Sequence, residues 1–226
     1  MFLAVSNFIR NRLIEHGFDQ DKVITHHLGI PIPALPAIVK DPLSIVTAGR
    51  LVEKKGTEYL IRAMRIVVDS IPEAQLTICG DGPLRASLEQ LVDSMNLKSN
   101  IKFVGWKPKP DVLDILSRAS VFVLPSITSR DGDSEGLGMV FLEAMALQTP
   151  VIGTNHGGIP DAVQHEVNGY LVKECDPGEI AERIINLIKN PAIAAKMGQQ
   201  GRNIVETCFD ITKQINKLEN IYSQHM

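Results

Sequence analysis

The sequence predicts an α/β protein: a parallel six-stranded sheet with helices on both faces, followed by carboxyl-terminal helices. Two observations lead there. From residue 44 onward short β-rich runs alternate with stretches of helical period, and several of those runs are apolar almost throughout, as strands covered on both faces must be. The intervening stretches are long enough for the helical crossovers that parallel neighbours require.

The elements follow in order. The opening AVSNFIRNRLIEHGF reads as a short strand, an N-cap at Ser6 or Asn7, and one helix ending at Gly17. A lone strand–helix unit before a proline-rich stretch, LGIPIPALPAIVKDP, is expected to be the tail of another domain; residues 1–30 are assigned to that remnant and 31–42 to a linker. Strands are then expected at 44–50 (SIVTAGR), 74–80 (AQLTICG), 100–105 (NIKFVG), 120–125 (SVFVLP), 150–154 (PVIGT) and 169–173 (GYLVK). Between them apolar residues fall on single helical stripes: Leu60, Met64 and Val67; Leu84, Leu88, Leu91 and Met95; Val112, Leu116 and Ala119; Ile180, Ile184 and Leu187. After the last strand only helices are expected, from Pro177 to about Ser223, with 43–206 forming the main domain and 207–226 a final helix leaning on the other domain.

Composition narrows the function. At 226 residues the chain can bury a full core, and 44% hydrophobic with 22% charged residues is an ordinary globular balance. The 23 Lys+Arg are outnumbered by 26 Asp+Glu and form no long basic run, so nothing points to nucleic acid. Cys79, Cys175 and Cys208 are widely spaced without a CxxC pair, which fits a reducing cytoplasm better than a zinc or redox site. MFLAVSNFIRNRL lacks the apolar core and cleavage site of a secretory signal, and no run reaches the roughly 18 apolar residues of a membrane span. Peripheral membrane contact stays open.

Ligands of such sheets bind beyond the carboxyl ends of the strands. There GRLVEKKG places Arg50, a planar donor fork, and Lys55, a point charge, a pair able to neutralise a diphosphate; solvated basic residues are also common at such turns. Gly80-Asp81-Gly82-Pro83 reads as a turn with Pro at a helix start, since GxGxxG is absent. Gly157-Gly158 is either a turn or a close backbone approach. Trp106, the only tryptophan, is expected as a half-buried loop aromatic, with flanking of a nucleotide base as the functional alternative. His156 could touch a ligand, whereas the six histidines lack metal spacing, and Asp131 and Asp133 read as turn residues because the rest of a calcium loop is missing.

The most informative stretch is SRDGDSEGLGMVFLEAMA. Glu135 and Glu143 stand eight apart on what reads as one short helix, a separation of about 12 Å along the axis and roughly 80° around it. That is too far for acid/base work across one bond and suits an extended ligand lying lengthwise. Glu135 alone is explained as a first-turn acid complementing the helix dipole; Glu143, among Phe141, Leu142, Ala144 and Met145, either faces solvent or meets a ligand. Gly136 and Gly138 would let a ligand approach backbone N–H groups at the helix start.

Taken together, GRLVEKKG (49–56), GDGP (80–83), FVG (103–105), EGLGMVFLEAMA (135–146), PVIGT (150–154), GGIPD (157–161) and NGYLV (168–172) resemble the nucleotide-sugar-binding half of the family 4 retaining glycosyltransferases of the GT-B fold. The resemblance implies a Rossmann-like domain and a role in polysaccharide biosynthesis. It implies that Arg50 and Lys55 hold the donor diphosphate, that Glu143 accepts hydrogen bonds from the ribose hydroxyls, and that Glu135 meets the donor sugar; Arg50, Lys55 and Glu135 are its catalytic candidates. Gly49, Gly82 and the segment Gly136, Leu137, Gly138 and Met139 join the donor site, and the loop from Val104 to Trp106 holds the base. The implied substrate is a nucleoside-diphosphate sugar, with no metal and no further cofactor, transferred with retention to the hydroxyl of a sugar or lipid-linked sugar. Leu137 stands where the family commonly has Phe. Most of the acceptor-binding domain, with its glycine-rich loop and catalytic histidine, is absent from the matched residues, so weak turnover and membrane contact only through that domain are expected. The alternative is a non-catalytic nucleotide-sugar-binding module acting with a partner chain.

Overall fold

The computed structural model describes Met1 to His225. Alternation of side chains along each strand sorts the core into two layers. Ile45, Leu76, Ile78, Val121, Val123 and Ile152 point to one face of the sheet, and Val46, Cys79, Phe122, Leu124 and Val151 to the other. The strands are therefore buried on both sides, which is why they read as continuous apolar runs.

The first unit comprises β1 (Phe2–Ala4), α1 (Asn7–Glu15) and β2 (Val23–Thr25), the two strands pairing in parallel. Ser6 caps α1, its hydroxyl accepting from Ile9 N–H at 3.3 Å, and Gly17 beyond the helix takes φ +88°. Three-residue β2 escapes sequence reading because VIT is too short to display a period.

The main sheet is built from β3 (Ser44–Ala48), β4 (Gln75–Cys79), β5 (Ile101–Gly105), β6 (Val121–Leu124), β7 (Val151–Thr154) and β8 (Gly169–Val172), all parallel, in the spatial order β5-β4-β3-β6-β7-β8. All six fall inside the runs expected from sequence. The order reverses between β3 and β6, the topological switch point where ligands of such sheets bind. On one face lie α2 (Thr57–Ser70), α3 (Arg85–Ser94) and α7 (Pro177–Lys189), through Leu60, Met64, Leu88, Ile180 and Ile184. On the other lie α4 (Lys109–Arg118), α5 (Met139–Ala146), α6 (Ile159–Ala162) and α8 (Pro191–Cys208), through Leu116, Phe141, Leu142, Ile159 and Val205. Phe141 of α5 meets Phe122 edge-on, ring centroids 5.4 Å apart, which seats this short helix over β6.

The final helix, α9 (Ile211–His225), is tied to the segment after β2: Ile30 N–H donates to Phe209 at 2.8 Å and Ile211 N–H returns to Ile30 at 3.0 Å. Gly29 is required there, because a Cβ on it would stand 2.7 Å from Ile211 Cα. The last residue of the span assigned to 207–226 lies outside the described residues. Among the described residues no helix is long and apolar enough to cross a membrane.

Within the proline-rich stretch, Lys40 turns inward. Its ammonium donates to Ser117 O at 3.1 Å, Leu147 O at 3.3 Å and Thr149 Oγ1 at 2.6 Å, serving the carbonyl ends of α4 and α5. Burial pushes Lys40 from its ordinary 10.5 down to about 8. The folded protein thus gives up this proton before the unfolded chain does, so this group's contribution to stability rises as pH climbs from about 8 toward 10.5. Denaturant unfolding of the wild type and Lys40→Met is expected to show a stability difference that is flat below that window and moves toward the wild type within it. A flat difference throughout contradicts the assignment.

Candidate functional site

Three loops at the carboxyl ends of β3, β4 and β5 are stitched together by their backbones. Gly49 N–H donates to Cys79 O at 2.9 Å, Leu51 N–H to Asp81 O at 2.9 Å, and Gly80 N–H to Gly105 O at 2.8 Å. The approach demands glycine: a Cβ on Gly80 would lie 1.9 Å from Gly49 O, and one on Gly82 2.5 Å from Leu51 O. GDGP is thus a packing turn, with Gly82 set against the Leu51 backbone. Pro83 lies ahead of α3, which begins at Arg85, so the expected Pro at the helix start is corrected by two residues.

Beneath these loops, with α4 and α5 as the facing wall, opens a cavity of about 530 Å³ whose polar lining includes Arg50, Asp81, Trp106, Lys107 and Glu143. Arg50 is exposed, and among the described residues no carboxylate pairs with it. Glu143 reaches the cavity because Phe141, Leu142, Ala144 and Met145 occupy the buried faces of α5, leaving Val140 and Glu143, one turn apart, on the cavity side. Its carboxylate forms an ion pair with Lys109, Nζ to Oε1 2.8 Å; the glutamate side chain is 16% exposed and the lysine 57%. The partner of Glu143 is therefore an exposed surface cation rather than a buried one.

Glu135 is placed differently from the sequence expectation. α5 begins only at Met139, and Gly138 before it adopts φ +77°, where a Cβ would meet the Phe141 ring at 2.7 Å. A left-handed residue cannot continue a right-handed helix, so Glu135 lies in the preceding loop and the lengthwise spacing of two carboxylates on one helix does not apply. Instead Glu135 accepts from Lys55 Nζ at 2.5 Å and from Ser126 Oγ at 3.4 Å. With Lys55 and Glu135 side chains 16% and 12% exposed, this is a largely desolvated pair, of the kind that costs most when one member is removed. Lys55 sits on the 3-10 turn Glu53–Lys55, and its stem passes under Gly49, whose Cβ would stand 3.6 Å from Lys55 Cε. The pair thereby adjoins the Arg50 wall of the cavity without lining it.

Gly157-Gly158 forms the turn expected before α6, and that turn is also a close backbone approach to the Glu135 loop. Gly158 N–H donates to Glu135 O at 2.9 Å, and a Cβ on Gly158 would fall 1.9 Å from Gly136 O. The loop after β7 therefore sets the backbone that carries Glu135. Leu137 is buried and Met139, partly buried, packs on the core; α5 has no side-chain cap. Val104 also packs on the core and does not line the cavity. Trp106 is 72% exposed rather than half-buried: the chain leaves edge strand β5 through Gly105 at φ +71°, which carries the indole outside both packed layers.

His156 is buried, its Nδ1 3.1 Å from Glu174 Oε1 and its ring 6.3 Å from Phe8, and it does not reach the cavity. Asp131 accepts from Ser129 Oγ at 2.5 Å and from Asp133 N–H at 3.2 Å, a turn as expected. Sequence reasoning missed Lys109 and Lys107; the two lysines of KPKP, directly after FVGW, were the signal available.

The family of group 1 glycosyl transferases matches residues 32–204, well over half of the chain. The chain belongs to that family. The amylovoran biosynthesis glycosyltransferase AmsK of Erwinia amylovora is 33% identical over 214 residues, covering 93% of this chain and 53% of that protein. A GDP-mannose-dependent monoacylated alpha-(1-6)-phosphatidylinositol monomannoside mannosyltransferase of Corynebacterium glutamicum is 36% identical over 178 residues, 78% of this chain and 46% of that one. The chain spans about half the length of these curated relatives. Among solved structures, Anabaena HepE in complex with UDP superposes with a TM-score of 0.88 at 21% identity, over 98% of this chain and 63% of HepE. The C-terminal domain of LpcC, a group 1 family protein of Francisella tularensis, gives 0.67 at 27% identity, over 76% of this chain and 89% of that domain. The six-stranded unit of this member of the group 1 glycosyl transferase family is thus the carboxyl-terminal half of a GT-B fold, as the motif resemblance implied.

Proposed function

We propose that this chain is the donor-binding part of a retaining glycosyltransferase that uses a nucleoside-diphosphate sugar. One observation carries the reading: at the switch point of the sheet, an unpaired guanidinium, Arg50, and a carboxylate, Glu143, face the same cavity, with Lys55 and Glu135 adjoining through Gly49. A diphosphate lying against Arg50 and Lys55 has both negative charges met without a metal, and the uncapped start of α5 adds its dipole. The ribose hydroxyls donate to Glu143, displacing the exposed ammonium of Lys109, and the exposed face of Trp106 is available to the base. The sugar hydroxyls donate to Glu135.

Transfer then consists of breaking the bond from the anomeric carbon to the phosphate oxygen while the acceptor oxygen bonds to the same face. The electron pair leaves with the diphosphate, where Arg50 and Lys55 stabilise it, and the acceptor proton passes to the departing phosphate oxygen. Glu135, already held by Lys55, is a ligand for hydroxyls rather than a nucleophile. Polysaccharide or glycolipid assembly is the setting suggested by the relatives' names, with the acceptor bound largely by residues of the amino-terminal GT-B domain.

Titration calorimetry with UDP-, GDP- and ADP-sugars tests the reading. At least one is expected to bind and to identify the base; absence of binding to all three at millimolar ligand overturns it.

A further inference from the structure

Three consecutive residues of the turn after β3 reach across to the segment after β6. Glu53 accepts from Arg130 N–H at 3.4 Å and pairs with its guanidinium at 3.4 Å. Lys54 donates to Asp133 Oδ1 at 3.0 Å, lies 2.9 Å from Oδ2, and reaches Ser134 O at 3.5 Å. Lys55 holds Glu135. Successive side chains of a 3-10 turn point about 120° apart, so three of them meet one segment only if that segment wraps the turn.

The three contacts are unequal. Arg130 is 94% exposed, and such a rim pair contributes little. The Lys54 side chain is 20% exposed, its stem covered, and it engages both a side chain and a backbone carbonyl of the two residues directly before Glu135. From the other side the Glu135 backbone is held by Gly158, while the tip of the loop is closed by Gly132 N–H to Ser129 O at 2.8 Å and meets the turn after β3 through the exposed Arg130–Glu53 pair, with open space around Gly132. Lys54 is thus the cross-loop cation holding the approach to Glu135, yet it does not line the cavity.

We propose that Lys54 is a positioning residue for donor-sugar recognition: by fixing Asp133 and Ser134 it sets where the Glu135 carboxylate stands beside Lys55. The proposal rests on the donor-site reading above. It separates two ligands. The sugar, which meets Glu135, depends on Lys54; the bare nucleoside diphosphate, met by Arg50 and Lys55, does not.

The experiment is calorimetry on the full chain with the nucleoside diphosphate and the nucleotide sugar that the wild type binds. Lys54→Ala is expected to weaken the nucleotide sugar about fivefold while changing the bare diphosphate by less than about twofold, the scale of a partly exposed ion pair. Lys54→Arg, and the swap of Lys54→Asp combined with Asp133→Lys, are expected to restore the wild-type ratio; both keep a charge pair and so guard against a variant that merely misfolds. An unchanged ratio in Lys54→Ala, an equal loss of both ligands, or a swap that leaves the ratio at the alanine value overturns the proposal. Failure of the wild type to bind either ligand overturns the donor-site reading itself.

Discussion

Replacing Arg50 by alanine is expected to weaken every nucleoside diphosphate by about thirtyfold, roughly 2 kcal/mol, the lower part of the range for removing one partner of a hydrogen-bonded charge pair at a binding site. The lower part applies because Arg50 is exposed, so solvent and salt screen its charge. The effect is still the largest of the basic substitutions for first capture of the diphosphate: Lys55 and Lys109 already face Glu135 and Glu143, whereas among the described residues no carboxylate pairs with Arg50. Affinity measured against ionic strength provides the check. The wild type is expected to lose affinity with salt more steeply than Arg50→Ala, and Arg50→Lys to fall between them, keeping the charge but losing the planar fork. Equal affinities in wild type and Arg50→Ala would show that the diphosphate lies elsewhere.

Glu143→Ala should have an effect of similar size with a different signature. Hydrogen bonds to a charged acceptor contribute about 1.5–3 kcal/mol, so loss of the ribose contact corresponds to about a tenfold to hundredfold loss for a nucleoside. For a diphosphate the net loss is smaller, because alanine leaves the Lys109 ammonium unneutralised near the cavity and that charge attracts the ligand. Preference for ribonucleotide over its deoxy analogue is the clean measure. The wild type is expected to hold it and Glu143→Ala to lose it, while Glu135→Ala keeps it and loses discrimination between nucleotide sugar and free nucleotide. Loss of both preferences in both variants would reject the separate roles.

The strands and most of the helices were legible from sequence because their signals are local. A run such as VFVL at 121–124 is apolar on both faces wherever it is placed, and a stripe such as Ile180, Ile184 and Leu187 needs no partner to be recognised. The position of Arg50 past the end of β3 was equally available, since strand ends follow from where the apolar run stops. The motif resemblance then attached chemistry to those positions.

Partnership was not legible. Glu135 and Glu143 look alike eight residues apart, yet one is locked to Lys55 in a nearly desolvated pair and the other faces a cavity beside exposed Lys109. The difference arises at Gly138, where packing of Phe141 against Phe122 starts α5 late and leaves the backbone before it left-handed. Trp106 likewise carried no sequence mark of its exposure, which depends on β5 lying at the edge of the sheet. The sequence by itself determined the order of elements and the inventory of charged groups at their carboxyl ends, because both are written in short-range periodicity. Only the tertiary structure decided which charge answers which, because electrostatic pairing depends on distances between loops that the chain connects through whole helices and strands.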